Sequence, residues 1–177
     1  MPPSTILLIR HAEKPIRSSD IRGVDIRGHE SPAELSVTGW QRAAALPRLF
    51  SPAQAAEMLP RPEVIFVAAS HHRSVRPVRT VQLLAQTCGL ALRELEADDV
   101  NGLVQAIRAC DGVVMVCWRH ESIASIARSF VGDTAQIPEW DAQRFDVVWI
   151  LAPVDGRWTL RQRPQLLLPN DRREPIQ

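Results

Sequence analysis

The sequence predicts an α/β fold: a three-layer α/β/α sandwich around a mostly parallel central sheet with an antiparallel edge strand. Three observations carry this expectation. The apolar runs 6–9, 64–69 and 112–118 are short and unbroken, as strands buried on both faces are. Helix-length segments with one apolar face lie between them, the pattern of strand–helix–strand units. Each run also leads into basic residues: Arg10-His11, then Arg73 and Arg76 beyond Ser70, then Arg119-His120. In open α/β sheets the carboxyl edge of the strands is where ligands bind.

The 177 residues predict one domain, 1–177, long enough to bury a proper core. With a formal net charge of +1 there is no general attraction to nucleic acid or to a membrane surface. Lys14 is the only lysine, so the many arginines reflect a compositional bias and do not by themselves signal anion binding. Cys88, Cys110 and Cys117 are odd in number and set in apolar contexts, which predicts reduced core thiols and not a disulfide frame or zinc site. No apolar run approaches membrane-spanning length and the first residues lack a charged signal head. A cytoplasmic location is the resulting expectation.

In chain order, Ile6-Leu7-Leu8-Ile9 is the first central strand, and Pro15 ends regular structure soon after Arg10-His11. Residues 15–33 have no apolar period and read as a long loop, a substrate-facing flap beside His11. A helix follows to about Phe50, capped by Ser36 or Thr38. Residues 51–62 read as a short helix or turn. The second strand, 64–69, leads to a helix running to Cys88, with Pro77 in its first turn. A short strand over 91–96 precedes a helix over 100–110. The third central strand, 112–118, leads at once to a helix over 122–130, and a loop fills 132–144. Residues 145–151 form another strand, Asp155-Gly156 a hairpin turn, and 158–163 an alternating antiparallel edge strand. The polar tail from Pro169 is expected to fray.

If the three central strands are neighbours, their basic ends converge. Guanidinium forks match phosphate oxygens, and imidazoles supply a nucleophile and a partner. Phosphoryl transfer asks mainly for positioning and charge stabilisation, and histidine can carry a covalent intermediate. No acidic cluster with metal-ligand spacing lies near the strand ends. His71-His72 reads as a solvated loop rather than a metal site.

Ile9-Arg10-His11-Ala12-Glu13-Lys14 resembles the Arg-His-Gly signature of the histidine phosphatase superfamily, the phosphoglycerate-mutase-like fold, in its branch of smaller enzymes. Ala12 stands where Gly is usual. Residues 35–43 resemble the family's Leu-(Ser/Thr)-x-x-Gly-x-x-Gln/Arg-Ala element. Arg76 and Thr80 have the family's Arg-to-Thr spacing, although the stretch from Ser70 is longer than usual and Arg73 competes for the role. His120 matches the second active-site histidine by position, with Trp118-Arg119-His120-Glu121 in place of Ser-His-Gly.

The resemblance implies a phosphatase that hydrolyses a phosphomonoester or phosphoramidate, without cofactor or metal, through a phosphohistidine at His11. Arg10, Arg76 and His120 would hold the equatorial oxygens, with Arg73 and Glu13 as secondary contacts. The general acid would be Glu94 or Glu96; Glu13 and Glu121 flank the histidines and are further possibilities. The implied partner is a small phosphorylated substrate or a phosphohistidine protein. The alternative is a phosphate-binding or interaction module on the same fold, with catalysis lost. A mutase is the lesser expectation, since the chain lacks segments to enclose a bisphosphate.

Overall fold

The computed structural model describes residues 3–16, 18–50, 58–70, 73–133 and 135–177. His71, His72 and the first part of the turn expected at 51–62 lie outside the described residues. The strands are β1 (Thr5–Arg10), β2 (Val64–Ala68), β3 (Leu92–Leu95), β4 (Val113–Trp118), β5 (Val147–Val154) and β6 (Arg157–Pro164). The helices are α1 (Val37–Ala45), which tightens into a 3-10 turn over Leu46–Phe50, then α2 (Arg76–Cys88), α3 (Val100–Arg108) and α4 (His120–Val131).

All six strands join one sheet in the order β3-β2-β4-β1-β5-β6. β1, β2, β3 and β4 pair in parallel, whereas β5 runs antiparallel to both β1 and β6. The three strands with basic ends, β2, β4 and β1, are therefore consecutive. The Asp155-Gly156 turn has positive φ at both residues, 51° and 76°, as a two-residue hairpin with right-twisted strands requires.

Strand alternation divides the core in two. Ile6 and Leu8, Val114 and Val116, and Trp149 face one cluster, which is closed by Leu103 and Ile107 of α3 and Ile123 and Ile126 of α4. Leu7 and Ile9, Met115 and Cys117, and Ile150 face the other, closed by Val81 and Leu84 of α2 and by Leu49 of the 3-10 turn. Both faces of the central strands are covered, which is why they lack a polar period.

Three expectations need correction. The strand expected from Phe145 begins at Val147, and the helix expected from Ser122 begins at His120. The tail is docked and not frayed. Ile176 is buried in the first core cluster, and its backbone exchanges two 2.8 Å hydrogen bonds with the Gln162 side chain. Asp171 accepts from the Leu167 and Leu168 N–H groups and pairs with Arg42. A polar segment reads as solvated when its partner, Arg42, is remote in sequence.

α1 is seated directly on the chain that follows β1. Ser36 caps it, accepting from Gly39 N–H at 3.1 Å, while the Ser36 N–H donates to Glu13 O at 2.9 Å. Gly39 is what permits this approach, because a Cβ there would lie 2.4 Å from Glu13 O. We expect Gly39→Ala to destabilise the fold by about 1–3 kcal/mol through overpacking against fixed backbone. Urea unfolding of the two proteins checks this; equal midpoints would mean that α1 tolerates displacement.

Candidate active site

Arg10 is the last residue of β1 and is 1% exposed. Its Nη1 donates to Ala142 O at 2.7 Å and to Arg144 O at 3.3 Å, and its guanidinium stacks on Phe145, 4.0 Å from the ring centre. Its Nε and Nη2 are buried and make no hydrogen bond. Burial lowers this guanidinium to about 10, against opposing fields from Glu121, Asp141 and Glu13, and Arg76 lowers it further. It remains a cation at neutral pH.

His11 follows at the strand end, 6% exposed, with its N–H bonded to Trp118 O of β4. Its Nδ1 lies 2.7 Å from Ala12 O. A carbonyl can only accept, so Nδ1 carries the proton and Nε2 keeps its lone pair. Burial, reinforced by the positive fields of Arg10 and Arg76, pushes this histidine down to about 3. The free site thus holds a neutral imidazole with an unprotonated Nε2.

Arg76 is the first residue of α2. Its Nη1 donates to Pro32 O at 2.9 Å, and its buried Nε has no partner. Burial lowers its pKa, partly offset by Glu34. Thr80, one turn on, receives the Ala12 N–H at 2.8 Å while its hydroxyl donates to Arg76 O at 2.8 Å. One hydroxyl thereby ties the second basic strand end to the first.

His120 opens α4, two residues beyond Trp118, which is in register with Arg10. Its Nδ1 lies 3.1 Å from a Glu121 carboxylate oxygen. Burial and the Arg10 field lower its pKa, with Glu121 opposing. Arg10 and Trp118 are paired in register, so His11 and His120 stand at adjacent strand ends, and Thr80 ties the start of α2, with Arg76, to Ala12.

The remaining candidates stand elsewhere. Glu13 is committed to Arg42, at 2.7 Å, and so serves as that residue's counter-ion. Glu94 and Glu96 lie on or just after β3, the strand at the sheet edge, and Glu94 accepts the Ser70 N–H at 3.1 Å. A cavity of about 1100 Å³ adjoins the cluster, lined by Lys14, Arg73, Arg76, Ala142 and Phe145 among others, but not by Glu94 or Glu96. Arg10, His11 and His120 stand beside this cavity, not on its wall; Arg76 and Phe145 link the two. Loop residues Pro15, Ile16, Ile21 and Pro32 also line the cavity, in keeping with a flap beside the site.

In sequence the segment Ala142–Phe145, which orients Arg10, has the pattern of a loop and strand start only. No short-range pattern marks a cation–π contact across more than a hundred residues. Asp141, whose charge acts on Arg10 and His120, carries no local sequence signal either. Among the described residues, no group of three or more His, Cys, Asp or Glu side chains is placed to hold a metal ion. Among the described residues, none of the helices is long and apolar enough to cross a membrane.

No family model matches the sequence, and no curated protein matches it. Solved structures do. SixA of Agrobacterium tumefaciens is 16% identical, with 89% of this chain and 96% of that one covered at a TM-score of 0.54. A protein histidine phosphatase SixA complexed with tungstate is 10% identical, covering 91% and 97% at a TM-score of 0.56. YhfR of Bacillus stearothermophilus is 13% identical, covering 88% and 94% at 0.55. The chain has the α/β fold of the histidine phosphatase superfamily, the phosphoglycerate-mutase-like fold. Its neighbours on that fold include SixA phosphatases and YhfR.

The depressed His11 predicts a pH signature of the free protein. As pH falls below about 6.5 the unfolded chain takes up a proton at this residue, whereas the native state does not until about 3. Stability should therefore fall with pH across that window, by up to about 1.4 kcal/mol per unit from this group. Urea unfolding at pH 5 and 7 should show His11→Asn losing part of the slope. NMR should find the His11 ring uncharged at pH 5; an ordinary titration near 6.5 would contradict the assignment.

Proposed function

We propose that the protein is a metal-independent histidine phosphatase, acting on a phosphomonoester or phosphoramidate through a phosphohistidine at His11. The observation that carries this reading is the set of buried guanidinium donors on Arg10 and Arg76 beside a neutral histidine with a free Nε2. Unpartnered buried donors are costly, and an anion with several oxygens would satisfy them together. The tungstate held by the SixA neighbour is a tetrahedral oxyanion, in keeping with such a site.

In this mechanism Nε2 of His11 attacks phosphorus, and the leaving oxygen or nitrogen departs with the bonding electrons and takes a proton from solvent water, which the water of the second step returns. Arg10 and Arg76 hold the phosphoryl oxygens through Nε and Nη2 and stabilise the charge that spreads over them. The bound dianion offsets the Arg10 field at His120, favouring the doubly protonated ring, whose Nε2–H then donates to a phosphoryl oxygen while Nδ1–H stays on Glu121. Water next attacks the phosphohistidine, releasing phosphate and returning Nε2 unprotonated. The Nδ1–H bond to Ala12 O fixes which nitrogen reacts and steadies the ring as it becomes cationic.

His11→Ala should abolish turnover and acid-labile phosphate labelling together, and chelators should change neither. Full activity in that variant, or activity lost to a chelator and restored by zinc or magnesium, would rule the mechanism out. Wild-type protein that binds vanadate and never labels would favour the non-catalytic phosphate-binding module.

Arg76 and Arg73 are separable by titration. Loss of a charge-assisted hydrogen bond costs about 1.5–3 kcal/mol, so Arg76→Ala should weaken vanadate binding by roughly tenfold or more, well beyond Arg73→Ala. The reverse order would assign the second phosphate arginine to position 73.

A further inference from the structure

Lys14 is the only lysine of the chain and follows His11 by three residues. It is exposed and lines the cavity of about 1100 Å³ that also borders Arg76. Its positive charge is felt at both His11 and His120. Among the described residues no carboxylate pairs with it.

The acidic groups on the cavity wall are already matched. Glu13 is held by Arg42, and Glu30 lies 3.3 Å from Arg22. Arg73, also on the wall, has contacts of its own. If a phosphoryl dianion is matched by Arg10 and Arg76, Lys14 still faces a space far larger than a phosphoryl group. Part of that space is walled by Ile16, Ile21 and Phe145, surfaces suited to an organic body.

We propose that Lys14 selects substrates carrying a second anionic group, a carboxylate or another phosphate, on the organic part beyond the transferred phosphoryl group. This rests on the phosphate-site reading of Arg10 and Arg76 and narrows it to small organic phosphates with two separated charges. Lys14 acts as a specificity-determining residue: an exposed ammonium on a flexible stem attracts a second anion without fixing one geometry.

Calorimetry with non-hydrolysable benzylphosphonates bearing a meta or para carboxylate, each against its neutral carboxamide, tests this. The wild-type protein should bind a carboxylate about three- to fivefold more tightly than its amide at low salt, the scale of an exposed ion pair, with the gap shrinking as salt rises. Lys14→Gln should close the gap and Lys14→Arg should keep it. Equal binding of acid and amide by the wild type, or a preference that survives in Lys14→Gln, overturns the inference.

Because phosphonates are not hydrolysed, the result does not depend on turnover. Loss of all phosphonate binding, amides included, would remove the phosphate site itself; amide binding without acid preference removes only the role of Lys14. A second measurement needs no variant. Acetylation of Lys14 in the wild type, read by mass at the chain's single lysine, should be slowed more by the acid phosphonate than by the amide. Equal protection would also overturn the assignment.

Discussion

The buried ion cluster of Arg42 is the constraint on which the site depends. Its Nε and Nη2 bond Glu13, its Nη1 and Nη2 bond Asp171, and its Nη1 also bonds Gln165, so every guanidinium donor is used. Burial alone would lower this residue's pKa, but the hydrogen bonds and charges of Asp171 and Glu13 outweigh it and the pKa is raised. Breaking such a cluster from one side leaves an uncompensated buried charge, which is far costlier than the net worth of the pair. The cluster therefore joins three remote pieces of chain, the end of β1, helix α1 and the C-terminal tail, in one arrangement.

That arrangement reaches the chemistry through backbone. Glu13, gripped by Arg42 through its carboxylate, is gripped again through its carbonyl by Ser36, while the Ala12 N–H is held by Thr80. The 12–13 segment is thus fixed from α1 on one side and α2 on the other. His11 takes its tautomer from the Ala12 carbonyl, so which ring nitrogen stays unprotonated is inherited from the helices packed around the following two residues. Ala12 itself is fully buried with Leu35 and Ala43, which accounts for a small side chain at a position where the family signature has glycine.

Arg10 and Arg42 show what the sequence could and could not disclose. Both are buried arginines in a chain full of arginine; one has all its donors satisfied, the other has Nε and Nη2 unused. Only the partners separate the structural residue from the candidate ligand, and apart from Glu13 those partners lie more than a hundred positions away. The sheet was legible because buried strands announce themselves through local apolar runs, and β2, β4 and β1 fall side by side as their basic ends implied. The docked tail, the Phe145 stack and the commitment of Glu13 to Arg42 were not legible, since each depends on a long-range pair without local periodicity.

The carboxylates around the cluster bear on which phosphorylated compounds suit the site. A general acid for an alkyl leaving group is a carboxyl group whose proton is retained by burial or by a like charge. Glu13 is half-buried and held by Arg42; the Glu121 side chain is 65% exposed and faces His120; Asp141 is exposed and accepts the Gln143 N–H in a local turn. Glu94 and Glu96 are exposed at the β3 edge, away from the cavity wall. None of these is arranged as a sheltered proton donor. On the mechanism we propose, reliance on Arg10, Arg76 and His11 alone would favour leaving groups that depart with little help, as aryl oxygens do and as a protonated phosphoramidate nitrogen does.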